Sequence, residues 1–592
     1  MKKRSRLITV LLVLTMLLSL AACGGNTNSG SDTTNTGDSG ADTTTTDGAK
    51  TTDTTTGEPQ YGGSITAYYQ EFANNFGPEV GDNRSYAFWF ESLWAIDWGL
   101  NDSETFAFDT EYIAAEYMAG QIADTWEYDA DAGTLTVTLL EDVTFQDKEP
   151  YNGRGLVAED VKWSYDRLLG IGSGWDTPVS AETDWPSVLY MIESVETDGD
   201  YTVIFNLKAD YNTETAINDL IIANVNIAGS EWDALTDEQQ SDWKYAAGTG
   251  PYILDDYILD NSMHFVKNEN YYDYDERYPE NKLPYIDEIT LQVVTESANR
   301  LTQFISGELD WLAWQSVLSA SEMEQLRNSM SADAFTEYNY YSAASGIAMK
   351  QTLEPLQDIN VRKALQMAIN SEEIHREYMG LDTDMVFMGM FDVSTSYSAV
   401  DEWSDELYDS YAVYDPEGAK TLLKEAGYPD GFTLEVVIFG GLDADLYALA
   451  QTYLAEIGVT MNITIASSPP EMNQMGMDPD DPHAMFNNGG KFSLTRALLS
   501  YAIGATENSI LHDDTKFDEM LTAMNTASTM EERIELGKEA DLYFAEQHWI
   551  LSLGAVESST DFISSRIQGF NGERTVKNWN MRTVMARVWV NE

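Results

Sequence analysis

The hydrophobic pattern of this chain switches repeatedly between a period of two and a helical period. The stretch from Gly248 to Trp311 shows both. Tyr252-Ile253-Leu254 and Met263 to Lys267 predict two short strands joined by an acidic turn. Gly248, Gly250 and Pro251 punctuate a turn before them, through glycine's special backbone angles and proline's fixed φ. Ile286 to Val294 is β-branched and predicts a further strand. Ala298 to Ile305 has helical spacing and stops at Gly307, and Glu308 to Trp311 opens a new extended segment.

The same reading extends along the rest of the chain. Tyr61 to Tyr68 predicts an opening strand, and the apolar run Phe88 to Trp98 predicts a buried helix with Trp94 and Trp98 in the core. Leu135 to Leu139 alternates as a strand with one buried face, and Val157 to Leu169 predicts a helix with Glu159 and Asp160 in its first turn. Tyr201 to Leu207 reads as a strand and Ala216 to Ala228 as a helix. Beyond Pro355, Val361, Leu365, Met367, Ala368 and Ile369 form an apolar helical face that leaves Arg362 and Lys363 exposed. Asp415 caps a helix with Pro416 in its first turn, ending at Gly427. Phe432 to Phe439, Ala448 to Ile457 and Val459 to Ile465 then give strand, helix and strand, which implies a parallel pair with a right-handed crossover. Glu531 to Gln547 is a last long helix, followed by a return toward the first domain through Trp549 to Leu553.

Composition narrows the function. With 592 residues, several cores and two or three domains are expected, and 43% hydrophobic content is globular. A formal charge of −66 argues against nucleic acid as a partner, since that binding needs basic patches. Lys2, Lys3, Arg4 and Arg6 precede an apolar run from Leu7 to Leu20, which is the layout of a secretory signal. Leu20-Ala21-Ala22-Cys23 resembles the bacterial lipobox, in which Cys23 is lipidated and becomes the first mature residue. Cys23 is the sole cysteine, so no intrachain disulfide forms. Gly24 to Gln60 is Gly, Ser, Thr, Asn and Asp almost throughout and reads as a flexible tether.

No Gly-x-x-x-x-Gly-Lys-Ser/Thr, His-Glu-x-x-His or Gly-x-Ser-x-Gly motif is present, and the five histidines are scattered without metal-ligand spacing. No cofactor is implied. With 99 acidic residues, a pair of carboxylates is not a catalytic signal.

Three blocks carry a family resemblance. The first is Gly248-Thr249-Gly250-Pro251-Tyr252 followed by Lys267-Asn268, Pro284-Tyr285-Ile286-Asp287-Glu288-Ile289 and the Arg300 to Asp310 run. The others are Ala123 to Tyr165 and Pro355 to Ile374. In order and spacing they resemble extracellular solute-binding protein family 5, the receptors of peptide-type and nickel-type ABC importers. That resemblance implies an α/β bilobal periplasmic-binding-protein-like fold (type II, the large three-domain variant) with mixed sheets and a hinge.

It also implies a division into signal peptide 1–22, lipidated cysteine and tether 23–60, and domain I in parts 61–100, 230–340 and 551–592. Residues 101–229 are then an inserted subdomain and 341–550 domain II. The implied partners are an ABC permease with its ATPase subunits, a small solute, and the membrane through the lipid anchor. The implied location is the extracytoplasmic face of the cell membrane.

Tyr69, Phe72, Trp314, Gln315 and Trp403 fall at the family's cleft positions. The chain departs from the family at Leu140, Asp142 and Gln146, and in an insertion from Tyr151 to Gly155. Peptide-binding relatives commonly carry an acidic residue that salt-bridges the peptide's amino terminus. The corresponding stretch here, Met485 to Ser493, has no acidic residue. That role is therefore not carried over, and Asn487, Asn488 and Lys491 would suit hydroxyl, carbonyl or anionic groups. Oligopeptide is the leading ligand and oligosaccharide the runner-up. A metal-chelate receptor lacks a His or Met cluster, and a secreted lipoprotein hydrolase lacks a nucleophile or acid–base pair.

Overall fold

The computed structural model describes residues 57–69, 72, 75–78, 87–100, 115–172, 189, 191–312, 318, 320–380, 385, 387, 402–439, 444–467, 469–488, 500–505, 508–573 and 581–591. The first strands are β1 (Ser64–Tyr69), β2 (Trp94–Ile96), β3 (Met118–Gly120), β4 (Ala123–Asp129), β5 (Thr134–Leu139), β6 (Ile192–Thr197) and β7 (Thr202–Leu207). Then come β8 (Tyr252–Ile258), β9 (Ser262–Lys267), β10 (Glu288–Val293), β11 (Trp311–Leu312) and β12 (Phe335–Ala348). The remainder are β13 (Thr433–Phe439), β14 (Thr460–Ala466), β15 (His483–Asn488), β16 (Ile550–Ser564), β17 (Ile567–Gln568) and β18 (Trp589–Val590).

A ten-stranded mixed sheet in the order β14-β13-β15-β12-β16-β11-β1-β10-β9-β8 runs through the molecule. An antiparallel four-stranded sheet, β4-β5-β7-β6, stands beside it. Together with the helices this is the mixed α/β, bilobal binding-protein fold. Its axis is the long antiparallel ribbon of β12 and β16, paired from Phe335 with Ser564 to Ala348 with Ile550. At one end Phe562 and Ile563 reach the cores built around β1 and helix Ser297–Ser306. At the other, Ile347, Ala348, Ile550, Leu551 and Leu553 belong to a separate core built around β13 and β14. The strand thus stays in the second core through Leu553, and its crossing comes later than Trp549 to Leu553.

Local chemistry explains many elements. Leu135, Val137 and Leu139 face inward on β5. Asp415 accepts a hydrogen bond from the Gly418 N–H, with Pro416 opening helix Pro416–Glu425. Helix Ser297–Ser306 stops at Gly307, whose φ of 79° suits glycine. Strand β13, helix Ala444–Glu456 and β14 form a parallel unit in register from Thr433 with Thr460 to Phe439 with Ala466. Helix Glu214–Ile222 is shorter than predicted, and its successor Ala223 is already extended.

Three further expectations need correction. Phe88 to Trp98 is buried but is not a helix: it is a turn, the short strand β2 and the start of the 3-10 turn Trp98–Leu100. Its backbone carbonyls are taken by remote segments instead. Gly250 donates to Trp89, Ile227 to Glu91, and both Gln121 and Ala123 to Leu93. That backbone also explains Gly248 and Gly250, neither of which has positive φ. A Cβ on them would lie 2.1 Å from the Trp89 carbonyl oxygen and 2.3 Å from that of Phe88. Close backbone approach, not a special angle, requires glycine there. Finally, Arg362 is buried rather than exposed.

Candidate functional site

Strand register locates a site before any side chain is considered. Strand β11 runs from Trp311 beside Ile563 to Leu312 beside Phe562. Strand β15 runs from Met485 beside Ala348 to Asn488 beside Ser345. Along the ribbon the two advance toward one another, because Phe562 pairs with Glu337 while Ser345 pairs with Ala555. Strands β1 and β10 are parallel to β11, and β13 and β14 are parallel to β15. Two sets of parallel strands therefore aim their carboxyl ends at the middle of the β12–β16 ribbon, where the register shifts between Tyr341 and Ala344. The crevice outside carboxyl strand ends is where open α/β sheets bind ligands.

The sequence-predicted residues distribute as follows. Tyr69 is the last residue of β1, and its ring stacks on Phe72 with centroids 5.2 Å apart and planes 8° from parallel. Tyr257 meets Phe72 edge-on at 6.2 Å, and Phe76 at 5.2 Å. Asn487 and Asn488 are the last residues of β15, paired with Gly346 and Ser345 of the ribbon. Trp314, Gln315 and Lys491 lie outside the described residues, following β11 and β15 by two or three positions in sequence. Cys23 is also outside them. Trp403 is on none of these strand ends. It is buried in an aromatic cluster with Phe387 at 6.1 Å and Tyr411 at 5.2 Å, which also includes Leu407 and Ala545.

Arg300, which opens the family run Arg300 to Asp310, packs on the residue before Tyr69. It sits in the first turn of the helix that follows β10, with its guanidinium 4.7 Å from the centroid of the Tyr68 ring. Its Nη1 donates to the Tyr68 hydroxyl at 2.9 Å.

The segment after β1 is also tied to the first core. The Pro78 carbonyl accepts from Asn226 Nδ2 at 3.1 Å, and Asn226 Oδ1 accepts from buried Arg582 at 3.4 Å. Arg582 also donates to Ser92 Oγ and Asn224 Oδ1. Nearby Glu91 accepts from the hydroxyls of Tyr271 at 2.7 Å and Tyr272 at 3.2 Å. Burial pushes its carboxyl up to about 7 despite those hydrogen bonds and the charge of Arg582. Among the described residues no cluster of three or more His, Cys, Asp or Glu could hold a metal ion.

Two lobes on a shared ribbon, with strand ends converging between them, define the class of solute-binding proteins. Comparison with known proteins carries this further. The model for "Bacterial extracellular solute-binding proteins, family 5 Middle" matches residues 118–506. Heme-binding protein A of Haemophilus influenzae is 23% identical over 471 residues, covering 76% of this chain and 81% of that protein. Glutathione-binding protein GsiB of Salmonella paratyphi A is 26% identical over 467 residues, covering 76% and 82%. The Helicobacter pylori periplasmic binding protein DppA, solved with the peptide STSA, superposes with a TM-score of 0.68 at 19% identity, covering 90% of this chain and 99% of that one.

This chain belongs to the bacterial extracellular solute-binding proteins, family 5. The family's members are substrate-binding components of ABC transporters, so the chain is a binding protein and not an enzyme. The hydrolase alternative falls with that. No described helix is long and apolar enough to cross a membrane.

Proposed function

We propose that this protein captures a peptide where the strand ends converge and delivers it to an ABC permease and its ATPase. The observation that carries the reading is the convergence of β1, β10 and β11 with β13, β14 and β15 on the middle of one ribbon. Two relatives support peptide as the ligand: one was solved holding a four-residue peptide, and the other is named for glutathione, itself a tripeptide. In this reading Tyr69, Phe72, Trp314, Gln315, Asn487, Asn488 and Lys491 surround the ligand, while Trp403 serves its aromatic cluster. Closure of the lobes about the ribbon buries the peptide, and the closed form is the one the permease accepts.

The run from Met485 to Ser493 carries no carboxylate, so the ligand is not held chiefly by a free α-amino group. Thermal-shift screening with peptide, oligosaccharide and metal-chelate panels identifies the class, because a ligand that binds only the folded state raises the melting point. Calorimetry with the best peptide and its N-acetylated form should then give dissociation constants within about threefold of each other, roughly 0.7 kcal/mol. Removing Lys491 should cost about 1.5–3 kcal/mol through a lost charge-assisted hydrogen bond to a carboxylate. Abolition of binding by acetylation would reveal an amine-binding carboxylate and overturn this account of the cleft. Stabilisation by oligosaccharides and by no peptide would replace the peptide reading altogether.

We further propose that lipidated Cys23 anchors the protein outside the membrane, with residues 24–60 as its tether. The lipobox-like Leu20-Ala21-Ala22-Cys23 after an apolar run supports this. Metabolic labelling with a fatty-acid analogue should be lost in Cys23→Ser. Undiminished labelling in that variant would refute the anchor.

A further inference from the structure

Helix Glu214–Ile222 buries Ile217, Leu220, Ile221 and Ile222 in the first core, whereas helix Met530–Glu546 buries Ala540 and Phe544 in the second. The two helices nevertheless meet. Arg533 Nη1 donates to Asp219 Oδ1 at 3.1 Å and Nη2 to Asp219 Oδ2 at 3.0 Å, a two-pronged pair whose side chains are 1% and 2% exposed. Beside it the Thr215 hydroxyl donates to the Ala527 carbonyl at 2.9 Å, and Arg533 Nη1 also reaches the Thr215 carbonyl at 3.4 Å. This contact joins the lobes by side chains, at a place separate from the β12–β16 ribbon.

We propose that Asp219 and Arg533 form a latch, a pair of charges that sets how readily the lobes stay together. The physics of buried ions gives the latch its character. Two complementary charges can be dried together because each replaces the other's water. Either charge alone resists drying, so removal of one partner opposes the closed arrangement more than the intact pair favours it. A pair of apolar side chains has no such penalty. Single replacements should therefore separate the lobes and the double replacement should largely reverse this, a coupling that an ordinary packing contact would not produce. The inference needs the two-lobed fold and no particular ligand, so it can fail while the peptide reading stands, and the reverse.

The test measures interlobe distances in ligand-free full-length protein by pulsed electron spin resonance. Spin labels go on cysteines placed at exposed Asp198 and Glu425, with Cys23→Ser removing the native thiol. Asp219→Leu and Arg533→Met should each raise the ratio of separated to joined lobes by about tenfold or more. The double variant should return toward the parent distribution. Circular dichroism and urea unfolding of each variant establish that both lobes remain folded. Superimposable distance distributions in folded single variants would overturn the latch. So would single variants that lose the whole fold in one transition, since the pair would then be a staple of the folded chain and not a joint. A double variant more open than either single would overturn it as well.

Discussion

In the first core, Glu91 and Arg582 are surrounded by side chains from widely separated stretches. Tyr271 and Tyr272 donate to the carboxylate, and Ser92, Asn224 and Asn226 accept from the guanidinium. In the second core two buried cations, Arg362 and Lys350, turn to backbone carbonyls instead. Arg362 donates to the carbonyls of Gln547, Leu356 and Gln357 and to the amide oxygen of Gln351, at 2.8–3.0 Å. Lys350 donates to the carbonyls of Met475, Asp478 and Asp481. Most of these carbonyls lie at or just past the ends of helices Glu354–Gln357, Pro469–Met477 and Met530–Glu546, where intrahelical partners run out.

The contrast follows chain layout. The first core is assembled from non-contiguous pieces, including helix Met581–Arg587 near the chain's end. Its charge network ties those pieces together: Arg587 of that helix also grips Glu276 through two hydrogen bonds of 2.7 and 2.9 Å. The second core is built largely from one run of sequence, and there Arg362 and Lys350 terminate helices.

Arg362 should therefore give the largest effect. Arg362→Ala takes the donor from three backbone carbonyls, that of buried Leu356 among them, and opens a cavity, and should cost about 3–5 kcal/mol in urea unfolding. Arg362→Lys should recover only part of this, since one ammonium cannot serve a planar fork of acceptors. A loss under about 1 kcal/mol in the alanine variant would mean that water replaces the guanidinium, and the contrast between the cores would weaken.

Much of the second core was legible in the sequence because its signals are local. Asp415 before Pro416 names a helix start by itself, and the strand–helix–strand run from Phe432 to Ile465 carries its own parallel pairing. The first core was harder. Phe88 to Trp98 is apolar enough for a buried helix, but its carbonyls are claimed by Ile227, Gly250, Gln121 and Ala123, and nothing within the segment announces those partners. Arg362 was misplaced for a related reason. A charged residue beside an apolar face normally points to water, and only the ends of other helices give it a buried home. For the site, resemblance pointed to Tyr69, Phe72, Asn487 and Asn488, which structure places on or just past converging strand ends. Convergence itself is a property of register across the β12–β16 ribbon, which no single segment encodes.

The subtlest way to separate the cores is pH, because each buries a titratable group with the opposite sign. Burial raises Glu91 from 4.5 to about 7, so the folded protein holds a proton there that the unfolded chain releases. Its contribution to stability is full below about 4.5 and is lost as pH rises through 7. His548 in the second region stacks on Tyr411 at 4.4 Å and meets Ser410 Oγ at 3.1 Å. Burial, with the charges of Lys363 and Arg362, lowers it from 6.5 to about 3. Its contribution is full above about 6.5 and is lost as pH falls toward 3. Glu91→Gln should therefore gain on the parent by on the order of 3 kcal/mol between pH 4.5 and pH 8. The histidine is better replaced by Asn than by Gln, because its φ of 49° favours a residue tolerant of the left-handed region. His548→Asn should spare the protein roughly 2 kcal/mol of the loss between pH 6.5 and pH 5. Urea unfolding of all three proteins at pH 4.5, 5, 6.5 and 8 gives these differences directly. Parallel curves for parent and Glu91→Gln would show that the Glu91 carboxylate is already ionised near pH 5, paired through the core with Arg582. The first core would then bury a true ion pair, and the distinction from the carbonyl-held cations of the second would become one of partner charge.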